Sequence, residues 1–414
     1  MKILFFSYLS YDNKNYKGGG WVNSLIATLS EFSNYDIGIA YLTSQKNTCK
    51  FKRKGVDYFP IYRKISFLTK VSTHVLKRLE VIRMDDTVDS IVSDFKPDII
   101  QLFGLETPFG SILANVKGVP VVVHIQGICT ACIEKFYPIG MSPRKIWWNS
   151  CIQDKLSFMT ANDIFVRYTN RAKLEQSNFK NYKYYLGRTD WDFSVSRMLS
   201  QNSTYFTCDE MLRPEFYTKK WRYKERDKIV ISSTMNGDIY KGLDTILKAA
   251  YLLEKSKVSF EWNIYGITDK FPLKRVFEKM FHLAFSDNHV YFKGKKDADE
   301  LVECLLESTF YIHPSHIDNS PNSLCEAMIL GIPCIATYVG GIPSLLENGK
   351  NGFLVQDSGS YEIAFIVLNN YNNKALLESL SENVQEDARN RHNRGRVLAQ
   401  LTNAYQNIIK DFSK

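Results

Sequence analysis

Residues 312–341 constrain the fold more than any other part of the sequence. They read IHPSHIDNSPNSLCEAMILGIPCIATYVGG, which predicts a strand, a polar loop, a helix, a second buried strand and a glycine turn. Ser320-Pro321 predicts the helix start, with serine as the cap and proline in the first turn. Gly331-Ile332-Pro333 predicts its end. A helix between two short apolar strands is typical of a parallel α/β sheet.

Two carboxylates lie in this stretch, Asp318 in the loop and Glu326 in the helix. In a parallel sheet, the loop after a strand and the N-terminus of the next helix form an anion site. The two acids could therefore face a polyhydroxyl ligand whose phosphates lie at the helix end. An alternative stays open: Ser323-x-x-Glu326 fits a capping box, and Asp318 would then be an ordinary solvated acid.

The length of 414 residues predicts two or three domains, and 44% hydrophobic residues with 14% aromatics exclude a mostly disordered chain. No apolar run approaches the roughly 20 residues that span a bilayer. The segment Met1–Ser7 is too short for a signal peptide and predicts the first strand. We therefore expect a cytoplasmic protein.

Eight cysteines are scattered along the chain, and Cys129-Thr-Ala-Cys132 is a lone CxxC pair. No second pair follows at zinc-ribbon spacing, so we expect reduced thiols without a metal or redox role.

The net charge of +9 is concentrated in Lys50–Arg83. This segment contains ten Lys and Arg residues and only two acids, Asp57 and Glu80. Ile65–Arg83 has apolar residues at helical spacing with cations between them, which suits a helix on an anionic membrane surface. An ordinary solvated helix fits equally well. Nucleic acid is not expected as a partner, because no recognised binding motif accompanies the charge.

Two series of alternating strands and helices predict an α/β protein of two doubly wound, Rossmann-like domains. The first would span residues 1–220 and the second residues 221–395, with a charged linker at 221–228. A final helix within 396–414 would join the first domain. The expected strands are Lys2–Ser7, Tyr35–Leu42, 97–104, 119–127, Ile229–Ser233, Phe260–Tyr265, His289–Lys293, Thr309–His313 and Cys334–Thr337.

These motifs resemble those of retaining glycosyltransferases of the GT-B architecture, in the family called group 1 or family 4. The resemblance rests on Asp318–Gly341, on Lys241-Gly-Leu-Asp244 and on Gly19-Gly20 after the first strand. Gly187–Asp192 and Glu210–Arg213 resemble bacterial members that build capsule, O-antigen or other surface polysaccharides.

The resemblance implies two domains facing across a cleft, the first binding the acceptor and the second the donor. It also implies transfer of a sugar, with retention, from a nucleoside-diphosphate sugar to a saccharide or lipid-linked saccharide. No metal cofactor is expected, and the nucleotide-sugar donor is the co-substrate. The protein would be peripheral to the inner face of the plasma membrane, touching it through residues 50–83.

The resemblance also implies site residues. Lys241, Asp318 and Glu326 would be catalytic. The donor would be bound by Gly19, Gly20, Lys241, Asp318, Asn319, Ser320, Asn322, Ser323, Leu324 and Glu326. The acceptor and the cleft would involve Gln126, His124, Arg188, Gly340 and Gly341.

The chain departs from the family pattern at several positions. Asp318 replaces the usual glutamate, and Pro321 lacks the N–H that the family offers near the sugar. No basic residue precedes the Lys241-Gly segment, so a phosphate contact would come from elsewhere, with Arg188 as a candidate. Gln126-Gly127 stands where many relatives have histidine-glycine. His124 could substitute, but we expect Gln126 to line the cleft.

Other functions remain open. Asp190-Trp-Asp192 and Asp297-Ala-Asp299 fit a metal-binding D-x-D pattern, but chance matches are common and the second falls at a helix start. A nucleotide-sugar epimerase, a glycogen-synthase-like polymerase and a non-catalytic sugar-nucleotide sensor would share the architecture.

Overall fold

The computed structural model describes residues 1–8, 20–46, 48–64, 66, 69, 71–79 and 84–414. They form two compact units. The first unit comprises 1–133, 166–211 and 392–414, and the second comprises 134–165 and 212–391.

The described strands and helices follow each other in α/β alternation. The strands are β1 (Lys2–Ser7), β2 (Asp36–Thr43), β3 (Phe51–Arg53), β4 (Val56–Tyr62), β5 (Ile99–Phe103), β6 (Val121–His124), β7 (Tyr184–Gly187), β8 (Thr204–Thr207), β9 (Ile229–Thr234), β10 (Phe260–Tyr265), β11 (Val290–Gly294), β12 (Phe310–His313), β13 (Cys334–Thr337) and β14 (Phe353–Val355). The α-helices are α1 (Gly20–Phe32), α2 (Asp85–Phe95), α3 (Pro108–Ile112), α4 (Cys129–Cys132), α5 (Pro143–Asn149), α6 (Ile152–Leu156), α7 (Ala161–Phe179), α8 (Asp190–Leu199), α9 (Leu243–Lys255), α10 (Pro272–Phe281), α11 (Ala298–Leu306), α12 (Asn322–Leu330), α13 (Ser360–Asn370), α14 (Lys374–Arg391) and α15 (Arg394–Phe412).

The first unit is built on a sheet of eight described strands in the order β3-β4-β2-β1-β5-β6-β7-β8. All neighbours pair in parallel except β3 with β4. β1 and β5 are buried along almost their whole length, as expected of strands covered on both faces. Helix α15 packs against this sheet, where Leu401 and Tyr405 join the core and the Tyr405 hydroxyl donates to Gln101.

The second unit is built on six described strands in the order β11-β10-β9-β12-β13-β14, all parallel. β9, β12 and β13 are neighbours, so their carboxyl ends lie side by side at one edge of the sheet. Residues 134–165, which the sequence analysis placed in the first domain, belong to this unit because α5 packs against α10.

The basic segment Lys50–Arg83 is not one helix. Its first part forms the β3–β4 hairpin, with Lys54 and Gly55 at positive φ in the turn. The predicted helix 65–83 lies partly outside the described residues, and its described part contains only a π-helical turn, Val71–Val75. Among the described residues, no helix combines the length and apolar character needed to cross a bilayer.

Candidate functional site

Lys241 and Asp318 form an ion pair at the carboxyl edge of the second sheet. The Lys241 Nζ lies 2.7 Å from Asp318 Oδ2, and His313 Nε2 lies 3.1 Å from the same oxygen. Burial opposes ionisation of Asp318, but the charge of Lys241 and the contact with His313 outweigh it and hold the pKa of Asp318 well below its usual range. The acid is therefore a fixed negative charge beside a cation.

The loop that carries Asp318 is held by three neighbouring segments. The His316 N–H donates to the Tyr240 carbonyl at 2.7 Å, and the Thr337 hydroxyl donates to the Ser315 carbonyl. The Gly341 N–H donates to the Asp318 carbonyl at 3.0 Å. These bonds tie the loop after β12 to the turn after β9, to the end of β13 and to the turn that follows β13.

Two glycines permit this close approach. A Cβ at Gly242 (φ 79°) would lie 1.9 Å from the Pro314 carbonyl oxygen. A Cβ at Gly340 (φ 52°) would lie 1.9 Å from the Asp318 carbonyl oxygen. Only glycine fits either position without moving the neighbouring backbone. Gly340 and Gly341, expected in the cleft, thus pack against the backbone of Asp318.

Glu326 is paired with Arg213, which donates through Nε to Oε1 at 2.7 Å and through Nη2 to Oε2 at 2.8 Å. The Glu326 side chain is 7% exposed. Burial raises the pKa of Glu326, and the bidentate bonds from Arg213 offset part of that rise.

The helix of Glu326 begins later than predicted. α12 starts at Asn322, and Pro321 occupies the N-cap without a side-chain capping hydrogen bond. The expectation that Ser320 is the cap is wrong, because proline at the cap shifts the start by one residue. The capping-box alternative for Glu326 is wrong too, since its carboxylate is taken by Arg213.

The loop before α12 and the first turn of α12 carry polar side chains between Asp318 and Glu326 in sequence. Asn319 and Ser320 are buried and Ser323 is half-buried. The buried Asn322 Oδ1 has no hydrogen-bond partner among the described residues. Leu324 is fully buried, so only its backbone could meet a ligand. An acceptor oxygen suits ligand hydroxyl groups, and the backbone N–H groups of a helix N-terminus suit phosphates.

His316 joins three segments beneath the loop. Its Nε2 lies 2.8 Å from Asp244 Oδ1, and its Nδ1 lies 2.6 Å from Asp357 Oδ1. Burial lowers the pKa of His316, but the two carboxylates outweigh burial and raise the pKa to about 9. Lys135 lies 3.3 Å from Asp357 and Lys248 lies 3.4 Å from Asp244. At neutral pH, His316 is a buried cation between two acids.

The predicted residues of the first unit lie in its own core and loops. His124 is fully buried beside Trp21, and its Nδ1 lies 3.0 Å from Gln101 Nε2. Burial and the charge of Arg188 lower the pKa of His124 to about 3. His124 is thus a neutral core residue, whereas Gln126 is half-buried.

Arg188 is 3% exposed, lies over the Trp21 ring at 5.2 Å and donates to the Gln126 carbonyl. It therefore shapes the loop of Gln126 from inside the unit. Gly20 opens α1 at φ 51°. Gly19 lies outside the described residues.

The D-x-D and CxxC patterns have structural partners. Asp192 forms a capping box with Thr189, and Asp297 caps α11 through the Glu300 N–H. The N–H groups of Cys129 and Thr130 donate to Glu175, which is almost fully buried. Each pattern thus begins a helix.

The sequence analysis missed Arg213, His313 and His316 as members of the site. Arg213 is 113 positions from Glu326 in sequence, and no spacing signals such a pair. His313 and His316 flank Asp318 closely enough that two histidines next to an acid could have indicated partners.

Comparisons with known proteins identify a family for part of the chain. Residues 215–387 match the family model described as "Glycosyl transferases group 1". AmsK of Erwinia amylovora, named an amylovoran biosynthesis glycosyltransferase, is 26% identical over 217 residues, covering 48% of this chain and 52% of AmsK. The chain spans 31–52% of the length of the first four curated relatives it matches. The predicted family resemblance is confirmed for the matched residues.

Solved structures share the fold over the whole chain. Sucrose-phosphate synthase from Thermosynechococcus elongatus superposes with a TM-score of 0.71 at 13% identity, covering 99% of both chains. HepE of Anabaena, solved with UDP and glucose, gives a TM-score of 0.64 at 15% identity, covering 98% of this chain and 99% of that one. The predicted fold class, GT-B with two parallel-sheet α/β domains, is confirmed.

Proposed function

We propose that this chain, whose residues 215–387 form a group 1 glycosyltransferase domain, transfers a sugar from a nucleoside-diphosphate sugar to a hydroxyl of a saccharide or lipid-linked saccharide. The transfer proceeds with retention of the anomeric configuration and serves polysaccharide biosynthesis. The second unit binds the donor, and the first unit, with α15, binds the acceptor.

The observation that carries this proposal is the arrangement around α12. The second unit contains two ion pairs, Lys241 with Asp318 and Arg213 with Glu326. The first turn of α12 lies between the two acids in sequence. Cations and a helix N-terminus favour phosphates, whereas carboxylates and Asn322 favour hydroxyl groups. A nucleoside-diphosphate sugar has both kinds of group.

Each acid and its cation has a separate role. Lys241 offsets the negative charge that develops on the diphosphate when the sugar leaves. Asp318 accepts hydrogen bonds from donor sugar hydroxyls, and Glu326 accepts them from the ribose diol. A carboxylate oxygen has more than one lone-pair direction, so Glu326 can bind ribose while Arg213 holds it. The remaining donor contacts of the second unit come from the segment 319–324.

The family pattern has a basic residue before the Lys241-Gly segment, and this chain lacks it. Arg213 is a better candidate than Arg188 to supply the corresponding contact with a donor phosphate. Arg213 is in the donor unit and half-buried, whereas Arg188 belongs to the first unit, where it contacts Trp21 and the Gln126 carbonyl. The guanidinium has five N–H donors, and Glu326 uses two of them.

The names of the similar proteins support a substrate class for this chain. AmsK is named for biosynthesis of amylovoran, and HepE was solved with UDP and with glucose. We therefore propose a UDP-sugar as donor and a saccharide as acceptor, with Gln126 and Arg188 near the acceptor. No metal enters the proposed reaction. Contact of Lys50–Arg83 with an anionic membrane remains part of the proposal.

The test is turnover of UDP-, GDP-, ADP- and dTDP-sugars with saccharide acceptors. Release of the nucleotide is the measured quantity. Lys241→Met should lower the rate of nucleotide release by roughly 100-fold, whereas the control Lys279→Met, at an exposed lysine, should preserve it. The configuration of the new linkage, read by nuclear magnetic resonance, tests retention. Conversion of the donor to its epimer without acceptor would favour an epimerase, and binding without turnover would favour a sensor.

A further inference from the structure

Two short helices of the second unit expose large apolar side chains to solvent. On α5 and α6, Trp148, Ile152 and Leu156 are 74%, 74% and 75% exposed. Ile152 and Leu156 are four residues apart and so lie on one face of α6. The Trp147 and Trp148 rings meet edge to face, with centroids 5.5 Å apart. Apolar exposure of this kind marks an interaction surface.

The exposed side chains are held on a fixed support. Ile146 of α5 is fully buried, and α5 packs against α10. The Ser150 hydroxyl donates to the Ile146 carbonyl, and Cys151 caps α6 by accepting from the Asp154 N–H. The inward face of α5 is thus packed within the second unit, and Trp147 and Trp148 are exposed to solvent.

Cations lie among these apolar groups. Arg144 and Lys145 are exposed on α5, and Lys155 of α6 lies over the Trp147 ring at 4.3 Å. Asp154 is the one acid between Pro143 and Met159. We call Arg144, Lys145, Trp147, Trp148, Ile152, Lys155 and Leu156 the tryptophan–lysine patch.

We propose that the tryptophan–lysine patch docks the protein on an anionic lipid bilayer surface. Tryptophan prefers the boundary between headgroups and hydrocarbon, because its ring is apolar and its N–H can stay hydrated. Ile152 and Leu156 enter the apolar layer beside it. The three cations complement anionic headgroups.

The charges favour lipid over a second copy of the chain. A two-fold dimer would place the same patch against itself and bring three cations from each copy together. Asp154 alone could offset them, and its carboxylate already accepts from the Cys151 thiol at 2.9 Å. An anionic bilayer has no such repulsion.

The patch is distinct from Lys50–Arg83, where Lys50 pairs with Asp94 and Arg53 lies over Tyr58. The proposal does not depend on the proposed function.

The experiment is flotation of the full chain with phosphatidylcholine vesicles, with and without phosphatidylglycerol. The first variant is Trp148→Ser/Ile152→Ser/Leu156→Ser. The second is Arg144→Gln/Lys145→Gln, which leaves the apolar groups in place. The matched control is Tyr361→Ser/Phe365→Ser, which removes an equally exposed aromatic pair four residues apart on α13. Lys52→Gln/Lys54→Gln tests the basic hairpin. Thermal unfolding verifies that each variant folds.

We expect wild type and the α13 control to float with anionic vesicles only. The apolar variant should lose at least about tenfold in partitioning, because membrane binding scales with buried apolar area. The charge variant should lose binding specifically to anionic vesicles. Wild type that stays free of vesicles, or an apolar variant that floats like wild type, would overturn the proposal. A wild-type dimer that the apolar variant dissociates, measured by light scattering without lipid, would assign the patch to a second copy.

Discussion

Arg213 donates to both carboxylate oxygens of Glu326, at 2.7 and 2.8 Å. The pair joins the start of the 212–391 segment of the second unit to α12. Because the Glu326 side chain is almost buried, its charge depends on this arginine. The Glu326 carboxylate, which we propose binds the ribose, is thus held in a fixed orientation before the donor binds.

Removing the cation should destabilise the second unit. Arg213→Met leaves a buried carboxylate without its partner, and we expect a loss of about 3 kcal/mol in the free energy of unfolding. Arg213→Met/Glu326→Leu should recover most of this loss, because no charge is left buried. Urea unfolding measures both. The control Lys350→Met removes the exposed pair with Glu347 and should unfold like wild type. Equal losses in the single and double variants would show that the pair is not the cause.

Lys241 should matter for turnover more than for stability. Its Nζ is 2.7 Å from Asp318, and both side chains are partly exposed. We expect Lys241→Met to lower kcat by roughly 100-fold, the cost of one lost charge-stabilising donor. The exposed Lys279→Met should stay within about twofold of wild type. Steady-state kinetics with the preferred donor decide this, and an active Lys241→Met enzyme would remove the lysine from the mechanism.

The His316 cluster should make stability fall in mild alkali. The pKa of His316 is raised to about 9 from an ordinary value near 6.5. Its contribution is therefore complete below about pH 6.5 and is lost as the pH rises through about 9, by an amount on the order of 3 kcal/mol. Burial opposes ionisation of Asp244 and Asp357, but His316 lowers the pKa of both, so their contributions are lost only in acid.

Urea unfolding at a series of pH values tests the cluster. His316→Gln should flatten the profile between about pH 6.5 and 9, whereas His282→Asn, at an exposed histidine with positive φ, should keep it. A His316→Gln profile as steep as that of wild type would assign the alkaline loss to other groups.

Gly340 offers a matched pair of substitutions. A Cβ at Gly340 would strike the Asp318 carbonyl, whereas a Cβ at Gly349 meets nothing within 4 Å, although both residues have positive φ. Gly349→Ala should cost about 1–2 kcal/mol for the left-handed backbone alone. Gly340→Ala should cost roughly 2 kcal/mol more and weaken donor binding, because Asp318 must move. Urea unfolding and calorimetric titration with the nucleotide measure the two effects. Equal results for both variants would contradict the close packing.

Most apolar strands could be predicted to within one residue, but the predicted strands 97–104 and 119–127 extend two to three residues beyond β5 and β6. Tyr35–Leu42 was expected where β2 runs from Asp36 to Thr43, and β10 falls on the predicted residues. Such strands are buried on both faces, so composition alone marks them. The β3–β4 hairpin was missed, because its charges and Pro60 hide a strand pattern at the edge of the sheet.

The site was predictable only in part. Asp318 and Glu326 belong to one local motif, and local order along the chain placed them on a loop and a helix. Arg213 comes from a segment far away in sequence, so its pairing with Glu326 depends on tertiary packing. His124 and Gln126 are two residues apart, so strand periodicity puts both on one face and cannot choose between them. The difference arises because β6 ends at His124.

The most direct test of the proposed donor site is thermal unfolding with UDP-, GDP-, ADP- and dTDP-sugars, for wild type, Lys241→Met and Lys279→Met. A ligand at about 100 times its dissociation constant adds roughly 2.7 kcal/mol to the native state. We predict that one nucleotide class, UDP-sugars, raises the melting temperature of wild type and Lys279→Met, and raises that of Lys241→Met by less. Equal shifts in all three proteins, or no shift with any nucleotide sugar, would contradict a donor site at Lys241, Asp318 and Glu326.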